Sequence, residues 1–411
     1  MTAIDSQSQD KFFGLPRWTV WLLPLVAIAV VVLLFILVDP LAFFTADLPP
    51  IEDLTLQQVR VTDTGFELTA VNGGPDPVIV AQVLVDEAYW QFEISPAGAI
   101  PRLGRATLTI GYPWVYGEPH EIIVITETGT TFAAEVPIAT VTPTPGLTEF
   151  LAYGLIGVYV GIIPVALGML WFPAMRRLGR EWLGAVLALT IGLLVFLLVD
   201  TLLEAFEIAA GLPGVFQGVP LVIFTALLTW LVLLAVGRQE RRARGGGGRN
   251  SALYLATMIA FGIGLHNLGE GLAIGAAFSI GEAALGSFLV IGFMLHNVTE
   301  GIGIAAPLLP TGQTDRTQWK SPPFSTFVWL TLLAGSPAIL GAWIGGFAYS
   351  PFLATLFFGI GAGAIWQVIV EVVRLLRDYA DREGTPFFSW LNVGGFLLGL
   401  LVMYLTALLV S

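Results

Sequence analysis

The chain of 411 residues contains no cysteine and only three histidines, and just 12% of its residues are charged. The missing cysteine excludes disulfides from any exported part and removes thiolates from any metal site, so a metal ion must be held by nitrogen and oxygen donors. The scarcity of charge, against 56% hydrophobic residues and a mean hydropathy of +0.82, leaves too little polar surface to wrap one water-facing globule. The chain therefore reads as a membrane protein. Its net charge of −12 does not describe a soluble acidic face, because many of the 30 acids fall between about 45 and 150 and others are embedded in apolar stretches. Nucleic acid is excluded as a partner on the same grounds.

Predominantly apolar runs of about 17 residues or more can cross about 30 Å of hydrocarbon as helices. There are nine: a leader at 18–38, then eight spans at about 149–172, 182–204, 219–236, 251–279, 282–308, 325–348, 351–375 and 388–410. Residues 321–370 carry no charge, and "AYSP" is the expected turn between spans 6 and 7. With residues 1–17 in the cytoplasm, the inner segments hold 15 of the 18 basic residues. The other three, Arg60, Arg102 and Arg105, lie in the domain after the leader, and the outer loops hold none. This asymmetry predicts a multi-pass protein of the cell membrane with a cytoplasmic N-terminus and with the outer domain and C-terminus outside. The leader has 21 apolar residues and its exit, "VDPLAFFTADLPP", lacks a small-x-small cleavage site, which predicts a retained anchor at 18–38 rather than a signal peptide.

Between about 45 and 140 the texture changes. Stretches such as "LQQVRVTDTGFELTAV", "RATLTIGY" and "EIIVITETGTTFAAEV" alternate with period two and are punctuated by "NGGPDP", "SPAGAIP" and "GEP". That pattern predicts an antiparallel β-sandwich of immunoglobulin-like type outside the membrane. The Pro/Thr-rich 141–147 is a stiff linker into the eight-helix domain at 148–411. His120, flanked by Glu118 and Glu121, is expected to be a solvated turn histidine rather than a metal trap.

The other two histidines sit inside apolar spans, in "HNLGEG" at 266–271 and "HNVTEG" at 296–301. Ionisable groups at bilayer depth cost at least about 2.5 to 3.5 kcal/mol each and mark function by default. His266, Asn267 and Glu270 fall on one stripe of span 4, because residues three and four apart share a helix face, and His296, Asn297 and Glu300 do the same on span 5. At an offset of 30 residues the spans also share Gly262 with Gly292, Leu265 with Leu295, Gly271 with Gly301 and Ile274 with Ile304. In antiparallel neighbours the two motifs meet near the midplane, with the glycines expected to let the helices approach closely. Two imidazoles, two carboxylates and two amide oxygens form an N/O cage suited to a borderline divalent ion: zinc, iron(II), cobalt, manganese or cadmium. The plainer alternative, each His and Glu acting as interhelical glue, explains one such pair better than two matched copies. Asp200, Glu204 and Glu207 end span 2 on nearly one face and suggest an outer entrance. Gln367 and Glu371 near the inner end of span 7 suggest an exit, although Glu371 could instead pair with Arg374.

On these segments the chain resembles the ZIP (Zrt/Irt-like) family of divalent-metal transporters. "HNLGEG" and "HNVTEG" are similar to that family's helix 4 and 5 metal motifs, "AGSPAILGAWIGG" to its helix 6 and "GAGAIWQVIVEVV" to its helix 7. The resemblance covers about 148–411. It implies an eight-helix bundle grouped three, two and three, flanking triplets related as inverted repeats, and a binuclear metal centre on helices 4 and 5. It also implies metal movement toward the cytoplasm by alternating access, with His266, Asn267, Glu270, His296, Asn297 and Glu300 as the transport-site ligands and a glutamate bridging two ions. The divalent ion, zinc first, is then transported substrate rather than cofactor. The partners are metal ions and the lipid bilayer, with a homodimer left open. The sequence departs from the family pattern in three places. Gly301 and Gly303 follow the helix 5 motif, the loop "RQERRARGGGGRN" has no histidine, and Ala338 stands where the family commonly carries an acid in helix 6. The missing acid predicts one firmly held metal, bound mainly by His266, Glu270, His296 and Glu300, and a weak or empty second site. Two other classes of function compete with a transporter: an intramembrane metallohydrolase, against which stands the lack of HExxH and GxSxG, and a metal-sensing receptor using the sandwich.

Overall fold

The computed structural model describes residues 11–12, 15–38, 50–177, 180–244, 249–279, 283–309 and 321–408. Arg316 and Lys320, counted above among the inner basic residues, and the expected start of the outer domain at 45–49 lie outside the described residues. The leader forms one helix over Arg17–Val38, 22 residues or about 33 Å of rise. Its side chains are exposed along all of Leu22–Val38, which is a shorter apolar helix than the spans that follow.

Eight strands follow: β1 Leu54–Thr62, β2 Gly65–Asn72, β3 Val80–Val85, β4 Ala88–Trp90, β5 Phe92–Ser95, β6 Arg105–Gly111, β7 His120–Thr126 and β8 Thr131–Val136. They pair antiparallel in two sheets with the orders β1-β2-β6-β5 and β8-β7-β3-β4. These orders are those of the A-B-E-D and G-F-C sheets of the immunoglobulin fold, with one extra strand beside C. Period-two burial carries the shared core: Phe66, Leu68 and Ala70 from β2 face Ala106, Leu108 and Ile110 of β6, and Val83, Val85, Ile122 and Val124 enter from the other sheet. Burying each large side chain contributes roughly 1.5 to 3 kcal/mol, which replaces the inter-sheet disulfide that a chain without cysteine lacks.

Among the described residues, eight further helices are long and apolar enough to cross a membrane, so the protein is a polytopic helical membrane protein. They are α1 Leu147–Met175, α2 Arg180–Ala210, α3 Gly218–Arg244, α4 Arg249–Ser279, α5 Ala283–Ala305, α6 Phe324–Ala348, α7 Pro351–Glu383 and α8 Trp390–Ala407. Gly384 closes α7 in the left-handed region at φ 65°, and the Ser389 hydroxyl opens α8 by accepting from Asn392 N–H at 3.2 Å.

All eight expected spans are present, but two are broken. In α1 a π-helical turn, Val158–Ile162, precedes Pro164, and α6 stops at Gly335 and restarts at Pro337. Both breaks follow from proline, which lacks the N–H for an i−4 bond and whose ring clashes with that carbonyl. The helix packing is that of an inverted repeat. α1 packs on α5 as α6 packs on α4, and α8 packs on α2 as α3 packs on α7. α1 and α6 are five crossings apart and so run in opposite directions, and the segments P-V-A-L-G at 164–168 and P-A-I-L-G at 337–341 correspond.

Glycine contacts repeat the relation. A side chain on Gly168 would overlap Val298 O and one on Gly301 would overlap Val165 O; likewise Gly341 meets Leu268 O and Gly271 meets Ala338 O. This corrects one expectation. The motif glycines bring α4 against α6 and α5 against α1, not α4 against α5, because the space between α4 and α5 is filled by the polar side chains of the motifs.

Candidate metal centre

α4 and α5 each present one motif stripe to the interior, and all six side chains are buried: His266, Asn267 and Glu270 from α4, His296, Asn297 and Glu300 from α5. Such burial is tolerable only if the polar atoms find partners. Glu270 is the hub. Its Oε1 lies 3.0 Å from His266 Nε2 and hydrogen-bonds His296 Nε2, while Oε2 accepts from Asn297 Nδ2 at 2.9 Å. The imidazole centroids are 6.2 Å apart, and one ligand atom each of His266, His296 and Glu300 falls within 4.8 Å of the others.

A residue that the sequence reading missed orients His266. Thr201 on α2 donates its hydroxyl proton to Leu197 O at 2.7 Å, so toward His266 Nδ1, 3.0 Å away, it can only accept. Nδ1 therefore carries the proton and Nε2 turns toward Glu270. Holding the outer imidazole nitrogen in this way is how metal-ligating histidines are commonly fixed. A neutral imidazole then presents its Nε2 lone pair to a carboxylate, an arrangement stabilised by a cation between them.

The amides are anchored by backbone. Asn267 Nδ2 donates to Ala334 O at 3.0 Å, in the last turn of α6 before its break, and Asn297 Nδ2 donates to Val160 O at 2.9 Å, inside the π turn of α1. Both carbonyls can only accept, which assigns the amide nitrogens. Asn267 Oδ1, Asn297 Oδ1 and both oxygens of Glu300 are buried and make no well-formed hydrogen bond. Two buried amide oxygens without donors and a carboxylate that has the Asn267 amide as a polar neighbour, together with two imidazoles, form a donor set that a borderline divalent cation would satisfy. Next to Glu300 a cavity of about 10 Å³ is closed by Leu193, Leu197, Ile263 and Met403, an apolar plug on one side of the site.

The expected entrance lies inside α2 rather than at its end, because the helix continues to Ala210. Asp200 and Glu204 are half-buried and Glu207 is exposed. At spacings of four and three residues, Asp200, Glu204 and Glu207 share one side of α2. At the expected exit, Glu371 Oε1 accepts from Gln367 Nε2 at 2.9 Å and from Arg374 Nη1 at 3.1 Å, so the pairing with Arg374 is present. Ala338, where a family acid was missed, is wholly buried, and its Cβ faces Gly161 of α1.

In the sandwich, His120 is not a solvated turn residue. It begins β7, is buried in phase with Ile122 and Val124, and its Nδ1–H donates to Asp86 Oδ2 at 2.7 Å. Tyr112 OH donates to the same oxygen at 2.7 Å, and this bond pushes the phenol up to about 12. Burial acts to raise the Asp86 carboxyl, but the hydrogen bonds from His120, Tyr112 and the Glu121 N–H outweigh it and hold the group below the usual range.

Residues 239–407 match the family model described as ZIP Zinc transporter. The chain is also 32% identical over 158 residues to "Zinc transporter ZIP6" of Homo sapiens and to its counterpart of the same description from Pongo abelii. Each match covers 38% of this chain and 20% of the relative, so the chain aligns with about a fifth of the length of these curated relatives.

Proposed function

We propose, from the match of residues 239–407 to the family model described as ZIP Zinc transporter, that this protein is a ZIP-type transporter and carries divalent metal ions across its membrane through the α4–α5 centre. Zinc is the first candidate, and iron(II), manganese, cobalt and cadmium fit the same donor set. One observation carries the reading: ligand atoms of His266, His296 and Glu300, from two matched motifs, lie within 4.8 Å of one another, and all three residues are buried. Catalysis at a metal normally needs three strong ligands and an open position for water or substrate, whereas six candidate ligands carried by two matched motifs would suit a cargo that must be dehydrated and then passed on.

Movement runs toward the cytoplasm by alternating access. The series Glu207, Glu204 and Asp200 gathers the ion and delivers it to His266 and His296, and Gln367 with Glu371 receives it beyond the apolar plug. The absence of an acid at Ala338 favours one firmly held ion. The sandwich and the C-terminus lie outside and the arginines that end α3 and begin α4 inside, an orientation supported by the 15 basic residues on one side.

The test is metal accumulation in sealed proteoliposomes, with zinc uptake competed in turn by iron(II), manganese, cobalt and cadmium. Zinc accumulating above protein-free vesicles, with graded competition, is expected. No accumulation of any of the five metals would sink the proposal.

A further inference from the structure

The two breaks in α1 and α6 coincide with the two anchors of the asparagine side chains. Pro164 stands four residues after Val160, so the N–H that an unbroken α-helix would send to Val160 O does not exist. In α6 the helix ends at Gly335; Pro337 lacks the N–H that an unbroken helix would send to Leu333 O, and Ala334 O, the next carbonyl, lies in the last turn before the break, where helical carbonyls run out of intrahelical donors. Each of these carbonyls is taken by one amide: Val160 O by Asn297 Nδ2 at 2.9 Å and Ala334 O by Asn267 Nδ2 at 3.0 Å. The planar amide has only two branches. Committing nitrogen to the neighbouring helix sends Oδ1 the other way, and both Oδ1 atoms are buried and donorless. The device occurs twice, at corresponding places of the inverted repeat, with the π turn taking up the extra residue in α1.

We propose that Pro164 and Pro337 are positioning residues of the metal centre: by interrupting α1 and α6 they free Val160 O and Ala334 O to hold the amides of Asn297 and Asn267, aiming both Oδ1 atoms as ligands. This rests on the reading of Asn267 and Asn297 as ligands. Pro164→Ala would supply the missing N–H to Val160 O and let the backbone compete for the carbonyl that Asn297 uses. The amide then loses its anchor without any change in the ligand set. Loss of an outer-shell partner weakens metal binding by about 10- to 100-fold.

The experiment is a double-mutant cycle on the purified full-length protein, with zinc affinity measured by calorimetric titration and folding followed by the metal-free thermal midpoint. Pro164→Ala should weaken zinc binding by that factor without lowering the midpoint, because a helical hydrogen bond is gained. In the Asn297→Ala background Pro164→Ala should change zinc affinity less than about twofold, since coupled residues are non-additive. Pro337→Ala with Asn267→Ala forms a second, independent cycle should Pro164→Ala or Asn297→Ala fail to fold. Wild-type affinity in both proline variants, or full additivity in both cycles, would overturn the positioning role. Wild-type affinity in Asn267→Ala and Asn297→Ala would overturn the ligand reading itself, and the positioning role with it.

Discussion

The α1–α5 arm and the α6–α4 arm share a backbone plan: a proline break, an amide anchored on it, and glycines pressed on carbonyls. Their carboxylates differ. On α4, Glu270 contacts both imidazoles and Asn297, whereas on α5 Glu300 makes no well-formed hydrogen bond although it is just as buried. Similar repeats thus carry dissimilar roles. Glu270 holds the two motifs together with or without an ion, and Glu300 is the group that only a cation satisfies.

The contrast is sharpest in the metal-free protein. Glu300→Gln removes a buried carboxylate that makes no well-formed hydrogen bond and should raise the thermal midpoint of chelator-treated protein, while Glu270→Gln removes charge-assisted hydrogen bonds and should lower it. Each effect corresponds to about 1 to 3 kcal/mol. Shifts of the same sign would erase the distinction between the arms. A smaller effect is expected one layer out. Thr201→Val removes the acceptor for His266 Nδ1–H and should weaken zinc binding by about 10-fold, with Thr201→Ser close to wild type. Equal losses in both variants would point to packing instead.

The smallest effect lies in the sandwich. Because the Asp86 carboxyl is held below its usual range, its contribution to stability is present above the ordinary aspartate value of about 3.9 and is lost as pH falls through the folded value. Asp86→Asn should therefore flatten the acid branch of the sandwich's unfolding curve and leave zinc uptake at pH 7 unchanged. An unchanged acid branch would show that the His120–Asp86–Tyr112 cluster does not tune stability.

Much of this was legible in the sequence, for physical reasons. Lipid forces apolar runs of about 20 residues, which makes the eight helices readable, and the i, i+4 spacing placed His266 with Glu270 and His296 with Glu300 before any coordinates. Period-two alternation did the same for the sandwich. What escaped depends on partners distant in sequence. Thr201 looks like any threonine in an apolar helix until α2 is set against α4, and the motif glycines do not announce that they face α6 and α1. Two misses had signals. "GIIPVALG" and "GSPAILG" place proline in mid-span, where broken membrane helices mark binding sites. His120 is in phase with Ile122 and Val124, and that alternation outweighs its acidic neighbours.

The central claim is that a metal ion crosses through the side chains shared by α4 and α5. Zinc accumulation in sealed proteoliposomes, compared among the wild type, Glu270→Ala and Glu300→Ala, tests it most directly. Breaking a buried charge arrangement by removing one partner costs about 3 to 5 kcal/mol, so each variant should lose two to three orders of magnitude in uptake while remaining in the membrane. Near-wild-type accumulation by both variants would contradict the account.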